Sequence, residues 1–217
     1  MTIHARSDNF EGQREVILGS AADLFARRGY HGTSMNDVAE ASGLSKATLY
    51  HYYDDKSELL SSIADRHVSA LVELCKSVES DDNIASSARL EALIVRFLNE
   101  YAEAQNSHRV LTEDVRFLPR RDRDRILDKE REVVQAFADA VAFVRPDVKR
   151  AGLDKAIAML LFGMLNWMFT WMRPNGTLTH ATAAPLVCDL FLNGLSGLRE
   201  LPTKPGRRAP SRARATR

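Results

Sequence analysis

A chain of 217 residues, 45% hydrophobic and 27% charged, is long enough to bury a real core, and its formal charge of +1 gives no overall basic signal toward nucleic acid. The opening MTIHARSDNFEGQRE holds no apolar run, so a secretory leader is not expected and the cytoplasm is the expected compartment. Cys75 and Cys188 match no metal-ligand spacing and read as two reduced, buried thiols, and neither a metal nor a cofactor is expected.

Ile17, Ala21, Leu24 and Phe25 recur at helical spacing and predict a helix from about Glu11 to Arg28, ended by Gly29; residues 1–10 are left as a flexible arm. Thr33 is placed to cap a short helix through Ala41, and Ser45 to cap another carrying Ala47, Leu49 and Tyr50. A longer helix is expected after Asp54-Asp55, through Leu59, Leu60, Ile63, Val68, Leu71 and Leu74 to about Val78. Beyond the polar Ser80-Asp81-Asp82-Asn83, the pattern predicts helices near 84–105, 107–116, 120–144, 151–172 and 180–198. No strand signal and no internal repeat competes, so the expected fold is all-α: a three-helix unit over 11–55, then a helical bundle over 56–199. Residues 200–217, rich in Arg, Pro and Ala, are expected to form a disordered basic tail.

Within Thr33 to Lys56, three positions have helix-turn-helix spacing. Ala39 is small where one helix crosses another, Gly43 suits a left-handed turn, and Leu49 anchors the second helix from beneath. That fixes the inner face and leaves Ser45, Lys46, Thr48 and His51 on the outside, where base edges of DNA would lie. Thr33, Ser34 and Asn36, at the start of the first short helix, complete the candidate DNA-contacting set on this unit. Charge runs against this reading. Residues 1–60 hold six Lys/Arg against nine Asp/Glu, tolerable if acids such as Asp8, Glu11, Asp23, Glu40 and Asp54 face away from DNA.

The same stretch resembles the TetR family of bacterial regulators: Gly32-Thr33, Val38-Ala39, Gly43-Leu44-Ser45 and Tyr50-His51-Tyr52-Tyr53-Asp54-Asp55-Lys56, followed by Leu59-Leu60. The likeness covers about residues 11–62, with Tyr52 where the family often has His and Tyr53 where it usually has Phe. It implies that Tyr50 and Tyr52 offer hydroxyls to phosphates, that Lys56 holds a phosphate at the start of the linking helix, and that Lys46 and Thr48 enter the major groove. A transcriptional regulator of double-stranded DNA is then expected, acting on a near-palindromic operator as a homodimer.

The segment Ala156 to Met172 has only Asn166 and Thr170 as polar side chains, so its helix should be buried on every side. It is short for a membrane span, and none is expected. The resemblance implies instead that the last two long helices of each subunit form an intersubunit four-helix bundle, with one face also lining a cavity for a small-molecule effector. Phe97, Tyr101, Phe137, Met164, Trp167, Met168 and Trp171 are the apolar and aromatic candidates for that cavity. RVLTEDVRFLPRRDRDR (109–125) and the 163–176 stretch are similar to TetR-family sensors of acyl-CoA thioesters. That similarity implies coenzyme A phosphates paired with Arg109, Arg116, Arg120 and Arg121, against a solvated helix face as the plainer reading.

No nucleophile, phosphate loop or metal cluster appears at useful spacing, so an enzyme is not expected. The expected role is a repressor released by a lipophilic effector. The alternative is a ligand-independent architectural DNA-binding protein, and an effector cavity in the second half is what separates the two.

Overall fold

The computed structural model describes residues 4–172 and 176–198, without the side chains of residues 4–9, 169 and 181. The basic tail and the Arg173-Pro174-Asn175 part of the thioester-like stretch lie outside the described residues. The described elements are α-helices and two short 3-10 turns. Helix α1 (His4–Arg28), α2 (Met35–Ala41) and α3 (Lys46–Tyr50) form the N-terminal unit, and α4 (Lys56–Glu79) leads out of it. There follow α5 (Arg89–Glu103), α6 (Gln105–Asp114), α7 (Arg120–Val144), α8 (Pro146–Arg150), α9 (Asp154–Asn166), α10 (Met168–Trp171) and α11 (His180–Gly197). The 3-10 turns are Ser86–Ala88 and Val115–Phe117.

Local chemistry sets most boundaries. Gly29, at φ 76°, takes the left-handed conformation that ends α1, and its N–H bonds the Phe25 carbonyl at 2.8 Å. Gly43, at φ 67°, makes the turn between α2 and α3. Ser34, Ser45 and Asp55 cap α2, α3 and α4 with their side chains. Two expectations need correction. Helix α1 starts at His4, so residues 4–10 are helical where a flexible arm was expected. Ser34, not Thr33, caps α2, because its oxygen forms a reciprocal capping box with Asp37.

The predicted 151–172 helix is also divided. Gly152, at φ 69°, stops α8 and delays α9 to Asp154. A second break falls at Trp167, whose carbonyl accepts both the Thr170 N–H at 3.2 Å and the Thr170 hydroxyl at 2.7 Å.

One core runs from the N-terminal unit into the bundle. Helix α4 carries it, burying Leu59, Leu60, Ile63, Val68, Leu71 and Val78 on one face. Polar ties hold α7 against that helix: Lys129 Nζ donates to Asp65 Oδ1 and Ser69 Oγ, both at 2.8 Å, and Arg125 donates to Ser61 Oγ at 3.0 Å. At the bundle centre Phe97, Phe137 and Phe162 meet edge to face, with centroids 4.8 Å apart for the first pair and 4.7 Å for the second. Arg145 reaches the Leu195 carbonyl and thereby ties the end of α7 to α11. Among the described residues, no helix is long and apolar enough to cross a membrane.

Candidate DNA-binding surface and effector cavity

The helix-turn-helix is assembled as its spacing predicts. Val38, Ala39 and Leu49 are buried, and Tyr53 lies beneath them with its hydroxyl accepting from Arg14 Nε at 3.3 Å. Burial pushes the Tyr53 phenol above its ordinary range, while the Arg14 guanidinium pulls it back. With this inner face fixed, Asn36, Ser45, Lys46, Tyr50 and His51 are exposed, and the Lys46 ammonium lies 5.9 Å from the Tyr50 ring centroid. Thr48 is half-buried, its hydroxyl 2.8 Å from Ser45 Oγ.

Three members of the expected set sit differently. Thr33 is 2% exposed and its hydroxyl donates to the Gly29 carbonyl at 3.1 Å, so its side chain is a loop brace and not a contact for DNA. Tyr52 is half-buried and stacks on Phe10 at 4.7 Å. Lys56 donates to the carbonyls of Tyr30 and Thr33, both at 2.7 Å, and lies 4.4 Å from the Tyr30 ring centroid. Two of its three N–H groups therefore pin the α1–α2 loop, leaving one for a phosphate.

Several of the acids on this unit are engaged by hydrogen bonds or ion pairs. Asp37 is held by Ser34 and Arg28, and the Ser34 hydrogen bonds keep its carboxyl below the usual range. Asp55 caps α4, Glu58 accepts from the Asp54 N–H, Asp23 pairs with Arg27 and takes a bond from Asn106, and Glu15 pairs with Arg66. Paired carboxylates repel phosphates less than free ones, so a net-acidic unit can still bind DNA.

In the bundle, a cavity of about 380 Å³ opens between α4, α5, α6, α7 and α9. Its buried wall is apolar: Val68, Leu71, Leu111, Val115, Val133 and Phe162. Tyr101, His108, Thr112, Glu130 and Asn166 are polar residues of the lining, together with exposed Arg116 and half-buried Arg123. The Tyr101 hydroxyl donates to Asn166 Oδ1 at 2.9 Å, and the His108 ring stacks on Tyr101 with centroids 3.6 Å apart. Behind His108, His67 completes a buried pair, Nε2 to Nδ1 at 3.3 Å. A larger cleft of about 510 Å³ lies by Cys75, Arg89 and Phe143, but it mixes Arg89 and Lys149 with Glu79 and Asp139 and touches no residue of the DNA-binding unit.

The expected effector residues divide into three groups. Tyr101 and Arg116 line the cavity, while Phe97 and Phe137 are fully buried core behind it. Met164, Trp167, Met168 and Trp171 line a separate apolar groove between α9, α10 and α11, so they are not part of the cavity. Arg109 lies outside it and pairs with Glu113 at 3.0 Å, and Arg120 pairs with Asp124 at 3.5 Å. Sequence reasoning missed Arg123, Glu130 and Asn166. A signal existed: Arg123, Leu127, Glu130 and Val134 recur on one face of α7, two charges in a stripe otherwise fit for burial. The burial all round expected for 156–172 rests on a second subunit, and in the single chain Leu160 is 70% and Trp167 65% exposed.

Comparison with known proteins agrees with this architecture. Residues 17–63 match the family described as "Bacterial regulatory proteins, tetR family", and residues 83–195 match "Tetracyclin repressor-like, C-terminal domain". A TetR-family transcriptional regulator of known structure from Bordetella parapertussis is 34% identical with a TM-score of 0.78, covering 87% of this chain and 98% of that one. The repressor KstR2 of Rhodococcus jostii is 26% identical over 85% of this chain and 92% of its own length. AibR, solved in complex with isovaleryl coenzyme A and operator DNA, is 26% identical with a TM-score of 0.70, over 83% of this chain and 98% of that chain. With both halves matched and the helix-turn-helix geometry in place, the chain belongs to the TetR family: it is a DNA-binding transcriptional regulator and not an enzyme.

Proposed function

We propose that this regulator is a cytoplasmic homodimeric repressor, bound to a near-palindromic operator and released by an amphipathic, anionic effector of the acyl-CoA thioester class. The observation that carries this reading is the cavity itself, an apolar interior with two guanidinium groups at its margin. Neither Arg116 nor Arg123 forms a salt bridge among the described residues; Arg116 lies against the Phe117 ring at 4.8 Å and acts electrostatically on Asp114. Guanidinium groups without a salt bridge beside an apolar chamber suit a ligand with phosphates at one end and a hydrocarbon chain at the other. The likeness to AibR supports the same class. A cavity of this kind favours an effector-responsive protein over a purely architectural one.

The path from effector to DNA is short. Arg116 and Val115 line the cavity, and the next residue, Phe117, stacks on Tyr30 at 5.7 Å and meets His31 edge-on at 4.5 Å. Tyr30 is the loop residue that Lys56 clamps at the start of α4. An effector that favours one position of the Val115–Phe117 turn therefore biases the loop between α1 and α2, given different affinity for the two states. The Phe117→Ala variant is expected to bind effector as tightly as wild type in calorimetry, yet to need at least several-fold more of it to release DNA. Unchanged release would place the coupling elsewhere.

The test of the function is fluorescence-anisotropy binding to fragments upstream of the protein's own gene, over a salt series with unrelated DNA as control. Tight, selective and salt-sensitive binding is expected, with release on adding acyl-CoA. Lys46→Ala is expected to weaken operator binding about tenfold, consistent with loss of one charged contact. Fragments bound no better than unrelated DNA at any salt, or a Lys46→Ala variant that binds like wild type, would refute the assignment of that surface.

A further inference from the structure

One carboxylate sits where an acyl chain would lie. Glu130 lines the cavity on α7, seven residues or about 10 Å of helix from Arg123. It forms no hydrogen bond or salt bridge among the described residues. Burial pushes its carboxyl above the usual range, and Arg131 only partly opposes this. Glu130 acts electrostatically on Tyr101, whose hydroxyl is already given to Asn166 Oδ1. Among the described residues no hydrogen bond is made by the Asn166 amide hydrogens, which belong to the same cavity. Around Tyr101 the wall thus offers an acceptor lacking a donor and a donor lacking an acceptor.

An occupant's chemistry follows from what satisfies both. A plain methylene chain buries both groups unsatisfied, which is unfavourable. A ketone only accepts and leaves Glu130 alone. An ammonium only donates, and Arg116 and Arg123 repel it at the entrance. A hydroxyl donates and accepts. We propose that the cavity selects an amphipathic anion whose apolar part bears a hydroxyl, held between Glu130 and Asn166. Resting on the thioester reading, this makes the effector a hydroxyacyl thioester and not a saturated one.

The test is calorimetric titration of the full-length protein with octanoyl-CoA and with its β-hydroxy and ω-hydroxy derivatives. At least one hydroxylated thioester is expected to bind about tenfold tighter than the saturated parent, the scale of a hydrogen bond to a charged group. Glu130→Leu is expected to abolish or invert that preference, and Asn166→Leu to reduce it, so a folding failure in one variant leaves the other to decide. Equal or tighter binding of the parent by wild type overturns the hydroxyl proposal and leaves the thioester reading standing. A preference that survives in the variants overturns it as well. No binding of any of the three by protein that still binds its operator overturns both.

Discussion

The Leu190→Arg variant is expected to elute as a monomer in light-scattering chromatography and to lose operator affinity by roughly 100-fold or more, the scale on which linked half-sites outbind a single one. Leu190 is 69% exposed on α11, with Leu186 on the same helix, Leu160 and Met164 on α9 and Trp167 between α9 and α10, all exposed in the single chain. A contiguous apolar surface of large side chains is costly to hydrate and marks an interaction face. In the proposed homodimer a second copy related by a two-fold axis covers that face with itself, so one substitution acts twice in each dimer. Arginine there must either lose its hydration or hold the subunits apart, and the four-helix packing of α9 and α11 against their mates fails. The DNA-binding loss follows because a lone helix-turn-helix reads only a half-site, whereas two at a fixed spacing of about 34 Å read the whole operator. Since Leu190 touches little of its own chain, the thermal transition of the monomer is expected to remain cooperative. A variant that stays dimeric would move the interface off α9 and α11.

The second large effect is on stability at mildly acid pH. His67 and His108 are each 3% exposed, and desolvation lowers their pKa values to about 4 and about 3. His67 and His180 further oppose a charge on His108. In the unfolded chain both rings titrate near 6.5. Between about pH 6.5 and the folded values the unfolded state therefore binds more protons, so stability falls as pH falls through 6.5 and levels off only below about 3. For two such groups the loss on going well below that window is on the order of 8 kcal/mol, comparable with a typical domain's whole stability. Urea midpoints are expected to drop steeply from pH 7.5 to pH 5. In a His67→Leu/His108→Phe double variant, which keeps an aromatic ring against Tyr101, the drop is expected to be much smaller. Parallel declines in the two proteins would show that other groups set the acid limit. Because the pair joins α4 to α6, acid should also loosen the contact between the effector cavity and the helix that enters the DNA-binding unit.

The helix-turn-helix was legible in the residues because each of its constraints is local. Ala39, Gly43 and Leu49 lie within a dozen positions, and Ser34, Ser45 and Asp55 each cap a helix from within four residues of the bond they make. Most helix boundaries in the bundle were legible for the same reason, through periodicity and capping. The exceptions were places where a local alternative intervened: Gly152 splitting α8 from α9, and the turn at Trp167.

The cavity was legible only in part, because it is made by residues far apart in the chain. Tyr101 meets Asn166 across 65 positions and His67 meets His108 across 41. An aromatic stripe looks the same whether it fills a core, as Phe97 and Phe137 do, or lines an outer groove, as Trp167 and Trp171 do. Lys56 likewise reads as a surface charge until folding brings the Tyr30 and Thr33 carbonyls to it. The sequence by itself determined an all-helical chain with a DNA-reading unit, since short-range sterics and capping suffice for both. Tertiary structure alone decided which arginines and which carboxylate line the cavity, and which apolar face is left exposed, since those depend on long-range packing that no local pattern encodes.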